Sequence, residues 1–205
     1  MRLNDLVAQF NLANQFTFLR LVAVPFFAIA VLQGRFGVAL ALFVAAAFTD
    51  VLDGLSARAF GTATRLGAYL DPAADKLLLT VGFLLLTAYP SMLREIPMVA
   101  RIPIWLTILT ISRDVLIVGI AVTLHLSQGQ TRFPPSIFGK LTTVAESLTV
   151  GLFLCFNYLG RSHPILGFMV WATLAMTLAS GFHYLGRTMR KLAGTDGAGP
   201  DDDGS

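Results

Sequence analysis

The sequence predicts an all-α integral membrane protein with six transmembrane helices and an N-terminal interfacial helix. Its 205 residues are 55% hydrophobic and only 13% charged, about half the charged fraction of soluble domains. Six long apolar stretches are separated by short connections that contain glycine or proline. No stretch alternates with period two, which favours helices over a barrel. This composition excludes a nucleic-acid-binding arm, so no nucleic acid partner is expected.

Each apolar stretch is close to the length that a bilayer requires, about 20 residues for a helix. The first contains Arg20 and Pro25 and lacks a convincing small-residue cleavage site, so we interpret it as an uncleaved span. The predicted spans are residues 16–32, 38–60, 71–89, 104–126, 137–159 and 165–185.

The two ends of the chain differ from the predicted spans. Leu3, Leu6, Val7 and Phe10 recur at helical spacing before the first span, which predicts the interfacial helix. Residues 192–205 are rich in glycine and aspartate and predict a disordered acidic tail. Residues 1–191 then form one membrane-embedded domain.

The distribution of basic residues predicts the orientation. Six spans place both termini on one side, and that side carries the larger share of arginine and lysine in its termini and loops. The positive-inside rule makes this side cytoplasmic. We therefore expect a multi-pass protein of a bacterial inner membrane, with the ends of spans two and four at the cytoplasmic face.

Four aspartates lie where spans two and three approach that face. Asp50 and Asp53 are three residues apart, and Asp71 and Asp75 are four apart, so each pair occupies one helical face. Because the two spans form an antiparallel hairpin, the four carboxylates can converge. Such a cluster requires cations, and oxygen ligands without histidine or cysteine suit two Mg²⁺ or Mn²⁺ ions. Two such ions are what a pyrophosphate substrate needs.

Two neighbouring residues support a phosphate substrate at this cluster. Gly54 allows close approach to the helix backbone, and Arg58 offers a fork of donors to a phosphate. Asp71 alone has a second interpretation, because aspartate before Pro72 is also a good helix N-cap.

Two other classes of membrane protein also have sites made of acidic residues. A cation transporter would place its acids near the bilayer midplane, whereas these lie at a helix end beside an arginine. Membrane aromatic prenyltransferases use two aspartate-rich patches that are far apart in sequence, whereas the two patches here fall on adjacent spans.

The cluster resembles a family signature. Asp50, Asp53, Gly54, Ala57, Arg58, Gly67, Asp71 and Asp75 match, in identity and spacing, the motif of the CDP-alcohol phosphatidyltransferases. The resemblance implies a six-span bundle, usually a homodimer, that transfers phosphatidyl from CDP-diacylglycerol to an alcohol.

The resemblance also implies roles for the motif residues. Asp50, Asp53 and Asp71 would hold one metal, and Asp50, Asp71 and Asp75 would hold the second. Asp75 would be the general base. Gly54, Ala57, Arg58 and Gly67 would line the CDP pocket, with Asn14 and Thr17 as further hydrogen-bonding candidates.

The acceptor subsite is predicted from basic residues within the other spans. Arg113 is deep in span four, and Lys140 and Arg20 are near the starts of spans five and one. A phosphate-bearing acceptor would partner Arg113, and the alternative is an ion pair with Asp114 or Glu146. The segments 112–114 and 139–142 resemble motifs of enzymes that form phosphatidylglycerophosphate or cardiolipin. Glycerol 3-phosphate is the expected acceptor, with phosphatidylglycerol as the close alternative and inositol phosphate as a third.

Overall fold

The fold is a bundle of six α-helices, seen in a computed structural model that describes residues 12–60, 65–92, 98–128 and 137–192. In this part of the chain every regular element is a helix. The helices are α1 (Leu12–Leu32), α2 (Phe36–Phe60), α3 (Arg65–Met92), α4 (Ile104–Gln128), α5 (Ile137–Tyr158) and α6 (Pro164–Leu192). The all-α class predicted from the sequence is confirmed.

The helix boundaries differ most from the prediction at α3. This helix begins at Arg65, six residues before the predicted start, so Asp71 and Pro72 lie inside it. The N-cap interpretation of Asp71 is therefore wrong. The segment from Arg65 to Leu70 contains several good helix formers, and one lost backbone hydrogen bond at Pro72 does not outweigh them.

Two glycines end helices in the left-handed conformation. Gly34 has φ of 68° and Gly160 has φ of 62°. The amide of Arg35 donates to the carbonyl of Ala30, and the amide of Arg161 donates to that of Phe156. Both ends are thus Schellman caps, in which glycine avoids the steric cost of a Cβ at positive φ. These caps lie in the connections from α1 to α2 and from α5 to α6.

The core lies mainly between α1, α2, α3 and α5. α1 packs against α2 and α3, and α5 packs against α2, α3 and α6, while α4 packs against α3 and α6. Phe27, Phe83 and Leu154 are among the fully buried side chains, and the rings of Phe27 and Phe43 lie 6.1 Å apart. The outward faces carry many exposed large apolar residues, such as Phe182, as expected of helices that face lipid.

Two of the described helical segments are long and apolar enough to cross a bilayer by length and composition. They are Ile137–Tyr158 and Pro164–Gly186, and Phe18–Leu32 and Phe36–Thr49 are shorter apolar helices. The prediction of six spans stays a prediction. The predicted interfacial helix and the tail after Leu192 lie outside the described residues.

The connection before α4 is attached to α5 by one amide side chain. Asn157 is buried, and its Oδ1 accepts from the backbone amides of Val99 and Ala100 at 2.9 and 3.1 Å. Its Nδ2 donates to the carbonyl of Ala100 at 2.8 Å and to that of Phe153 at 2.8 Å. All four hydrogen-bonding positions of the amide are used, so this link satisfies backbone groups that would otherwise be buried without partners.

Candidate active site

The family-like motif occupies two consecutive helix segments. Residues 50–58 lie in the last part of α2, and residues 67–75 lie in the first part of α3. Residues 61–64, between these two helices, lie outside the described residues, so the predicted hairpin stays a prediction. Among the motif aspartates, the described side chains include that of Asp75.

The other predicted motif and CDP-pocket side chains lie outside the described side chains. They belong to Asn14, Thr17, Asp50, Asp53, Gly54, Ala57, Arg58, Gly67 and Asp71. Within the described part, no group of three or more histidine, cysteine, aspartate or glutamate side chains could hold a metal ion. The predicted two-metal site stays a prediction.

Asp75 forms an ion pair with Arg20 across the α1–α3 contact. Nη1 of Arg20 lies 3.6 Å from Oδ1 of Asp75. Arg20 is 2% exposed, whereas 34% of the Asp75 side chain is exposed. The guanidinium therefore lies on the protein side of the carboxylate, and the carboxylate keeps an accessible face. The sequence predicts Arg20 in the acceptor subsite and Asp75 as the base, whereas the structure pairs the two side chains.

Lys76, the next residue, connects three helices. Its Nζ donates to Oδ2 of Asp114 in α4 at 2.7 Å and to Oε2 of Glu146 in α5 at 3.2 Å. Glu146 is 1% exposed. A buried glutamate is costly without a partner, so Lys76 offsets much of the burial cost of that carboxylate. The two acidic partners of Lys76 come from helices that the sequence did not connect to the motif.

The side chain of Arg113, in α4, is hydrogen-bonded to side chains of α4 and α6. Its Nη1 donates to Oδ1 of Asp114 at 2.7 Å, and its Nη2 donates to the hydroxyl of Ser180 in α6. A Cβ at Gly139 of α5 would lie 3.6 Å from Nη2, and one at Gly181 would lie 4.0 Å from Cγ of Arg113. The two glycines thus leave room for the arginine between α5 and α6.

This arrangement matches the alternative that the sequence left open for Arg113. The pair with Asp114 is present, whereas Glu146 pairs with Lys76 instead. Ser180 was missed, because one serine in an apolar helix carries no sequence signal of its own. Among the described residues Nε of Arg113 has no hydrogen-bond partner, so the arginine keeps a donor for a phosphate.

Lys140 is exposed in the first turn of α5, next to the glycine that faces Arg113. The three residues predicted to bind the acceptor thus divide into two groups. Lys140 directly follows the glycine that faces Arg113, whereas Arg20 is paired with Asp75.

Comparison with known proteins decides the class of this protein. Residues 10–179 match the sequence profile of a family described as CDP-alcohol phosphatidyltransferase. The chain belongs to the CDP-alcohol phosphatidyltransferase family. It is therefore an enzyme of phosphatidyl transfer, which excludes the transporter and prenyltransferase alternatives. Family membership and the two long apolar helices together indicate a membrane protein.

Several named relatives resemble most of the chain. A probable phosphatidylglycerophosphate synthase of Mycobacterium tuberculosis is 34% identical over 190 residues, which cover 90% of this chain and 84% of that protein. A CDP-diacylglycerol–glycerol-3-phosphate 3-phosphatidyltransferase of Bacillus subtilis is 28% identical, covering 89% and 97%. A probable cardiolipin synthase (CMP-forming) of Drosophila melanogaster is also 28% identical, covering 85% and 56%.

Proposed function

We propose that this enzyme transfers a phosphatidyl group from CDP-diacylglycerol to glycerol 3-phosphate and releases CMP. One observation carries the proposal: Lys76, directly after the last motif aspartate, is paired with Asp114, which is paired with Arg113. The donor motif and the predicted acceptor segment are thus parts of one ionic network. The names of the Mycobacterium and Bacillus relatives support the same reaction.

The reaction is a direct displacement at phosphorus. A hydroxyl oxygen of the acceptor forms a bond to the phosphorus that carries diacylglycerol. The bond from that phosphorus to the bridging oxygen breaks, and CMP leaves with the electron pair. Asp75 takes the proton of the attacking hydroxyl, and the accessible face of its carboxylate suits that role. Arg20 holds the other side of Asp75 and orients it.

The donor set of the motif fits divalent cations. All four acidic positions are aspartates, whose oxygens suit Mg²⁺ or Mn²⁺. Asp50, Asp53 and Asp71 would hold one ion, and Asp50, Asp71 and Asp75 the other. When bound, two such ions neutralise a pyrophosphate and stabilise charge on the departing phosphate.

The remaining motif residues are proposed to bind the substrates. Gly54, Ala57, Arg58 and Gly67, together with Asn14 and Thr17, form the CDP pocket. Arg113 and Lys140 bind the phosphate of the acceptor, with Arg20 near the attacking end. Nε of Arg113 has no partner in the described part of the chain, which supports this role because it offers a buried donor to an anion.

The proposal also covers the domain organisation, membrane location and oligomeric state of the enzyme. Residues 1–191 form one membrane domain with six spans and an N-terminal interfacial helix, and residues 192–205 form an acidic tail. The active site faces the cytoplasm of a bacterial inner membrane, and the enzyme is a homodimer, as the family resemblance implies.

A second candidate acceptor is phosphatidylglycerol, which would make the enzyme a cardiolipin synthase. The sequence Ser112-Arg113-Asp114 favours it, since many enzymes that use glycerol 3-phosphate resemble Ala-Arg-Glu at this segment. The Drosophila relative is named for that reaction.

Measurement of CMP release distinguishes these proposals. Purified protein is supplied with CDP-diacylglycerol, Mg²⁺ and one acceptor per tube: glycerol 3-phosphate, phosphatidylglycerol or inositol 1-phosphate. We expect release with glycerol 3-phosphate and its loss in Asp75→Asn. Release only with phosphatidylglycerol would establish the second candidate. A phosphatidyl-enzyme adduct formed with the donor alone would contradict direct displacement.

A further inference from the structure

Six charged side chains form a layer through the bundle at the level of Asp75. They come from α1, α3, α4 and α5, and three are basic and three acidic: Arg20, Asp75, Lys76, Arg113, Asp114 and Glu146. The formal charge of this set is zero. Because the interior of the bundle screens charges weakly, a change of one unit here alters the local potential strongly.

Within this layer, Asp114 is shared between two cations. Its Oδ2 accepts from Lys76 and its Oδ1 accepts from Arg113, both at 2.7 Å. Lys76 in turn is shared between Asp114 and Glu146. The attraction that Arg113 exerts on an external anion therefore depends on how much of the Asp114 charge is already offset by Lys76.

We propose that Lys76 determines the affinity for a phosphorylated acceptor by offsetting the charge of Asp114, which leaves Arg113 able to bind phosphate. The proposal rests on the acceptor site of the proposed function. Lys76 does not touch the acceptor and acts through Asp114 and Arg113, so it is a positioning and charge-balancing residue. Glu146 acts in the opposite direction, because it draws Lys76 away from Asp114.

A series of charge variants isolates this effect. Among Lys76, Arg113, Asp114 and Glu146, the formal charge is zero in the wild type, −1 in Lys76→Met, +1 in Glu146→Gln and zero again in the double variant. Because glycerol 3-phosphate is a dianion, its KM should rise when that charge becomes negative and fall when it becomes positive. The KM for CDP-diacylglycerol is measured in parallel.

We expect Lys76→Met to raise the acceptor KM about tenfold, in line with one unit of charge at low effective dielectric. Glu146→Gln should lower it about threefold, and the double variant should return to within about threefold of the wild type. Lys76→Arg keeps the charge and should also stay within about threefold. The donor KM should change less than the acceptor KM throughout.

Glu146→Gln keeps the Lys76–Asp114 pair, so it tests the proposal even if Lys76→Met fails to fold. Thr107→Val is the matched control, since it removes a buried hydroxyl that contacts Thr87 and leaves all charges in place. Its acceptor KM should equal that of the wild type.

Two results would overturn the proposal while leaving the proposed function intact. One is an acceptor KM in Glu146→Gln equal to that of the wild type. The other is a double variant that keeps the raised KM of Lys76→Met. A wild-type protein that does not use glycerol 3-phosphate would overturn the proposed function itself.

Discussion

Nη1 of Arg20 lies 3.6 Å from Oδ1 of Asp75, so the arginine of α1 holds the last aspartate of the motif in α3. α1 packs closely against α3, and Arg20 is almost completely buried in that contact. A buried arginine is planar, always charged and fixed by its neighbours, which makes it an effective orienting partner for a carboxylate. This pair is the most direct structural link between the predicted acceptor residues and the predicted base.

Removal of Arg20 should lower turnover more than substrate affinity. We expect Arg20→Ala to reduce kcat about tenfold or more, because Asp75 loses the group that orients it. Arg20→Lys keeps the charge without the planar fork and should retain more activity. The measurement is steady-state CMP release with both substrates varied. An unchanged kcat in Arg20→Ala, with folded protein, would show that Asp75 does not depend on this pair.

Substitution of Asp53 tests the two-metal assignment. Asp53→Asn should lose most of the activity and weaken the dependence on Mg²⁺, because one ionised ligand becomes neutral. The fold should be retained, which circular dichroism and gel filtration in detergent would check. Titration of activity with Mg²⁺ and Mn²⁺ is the measurement. Near-normal turnover with an unchanged metal requirement would contradict the assignment.

Substitution of Arg113 distinguishes its two interpretations. We expect Arg113→Ala to raise the KM for glycerol 3-phosphate at least tenfold, with a much smaller effect on the KM for CDP-diacylglycerol. Ser180→Ala removes one partner of Arg113 and keeps the guanidinium, so its acceptor KM should change only a few-fold. If Arg113→Ala leaves the acceptor KM unchanged, the arginine serves only its ion pair with Asp114.

Gly82 tests how closely α3 and α5 pack. A Cβ at this position would lie 3.0 Å from Cγ1 of Val150, which is fully buried. Gly82→Ala should therefore be less stable than a glycine-to-alanine change at an open helical site by about 1–3 kcal/mol, because overpacking against Val150 opposes the gain in helix propensity. Gly167→Ala is the matched control in α6, where a Cβ would meet nothing within 4 Å. Thermal unfolding in detergent compares the two, and equal melting temperatures would contradict the close packing.

Asn157 tests the attachment of the segment before α4. Asn157→Leu leaves the amides of Val99 and Ala100 without their acceptor, so we expect a loss of about 2–4 kcal/mol of stability. Thr110→Val is the control, because that buried hydroxyl donates to a carbonyl within its own helix. Thermal unfolding is again the measurement. A melting temperature of Asn157→Leu equal to that of Thr110→Val would show that the link contributes little.

The helical class and the family could be predicted because their signals are local along the chain. Apolar runs and the glycines that end α1 and α5 are visible in short windows, and the aspartate motif has fixed spacing within residues 50–75. Helix α3 begins six residues before the predicted span, because a helix can extend beyond its apolar stretch.

The partners of the charged residues could not be predicted in the same way. Lys76 is 38 positions from Asp114 and 70 positions from Glu146, and Arg113 is 67 positions from Ser180. The sequence left both Asp114 and Glu146 as possible partners of Arg113. Only the helix arrangement pairs Asp114 with Arg113 and Glu146 with Lys76.

By itself, the sequence determined that this protein is an all-helical member of a phosphatidyltransferase family, and it predicts that the chemistry centres on the aspartate motif. Only the tertiary structure decided that Arg20 holds Asp75 and that Lys76 joins α3 to α4 and α5. The physical reason is that hydropathy and motif spacing depend on neighbours along the chain, whereas an ion pair depends on which helix faces meet. In a bundle that contact is set by packing of the whole chain, and the buried Arg20 and Glu146 find their partners on helices that are distant in sequence.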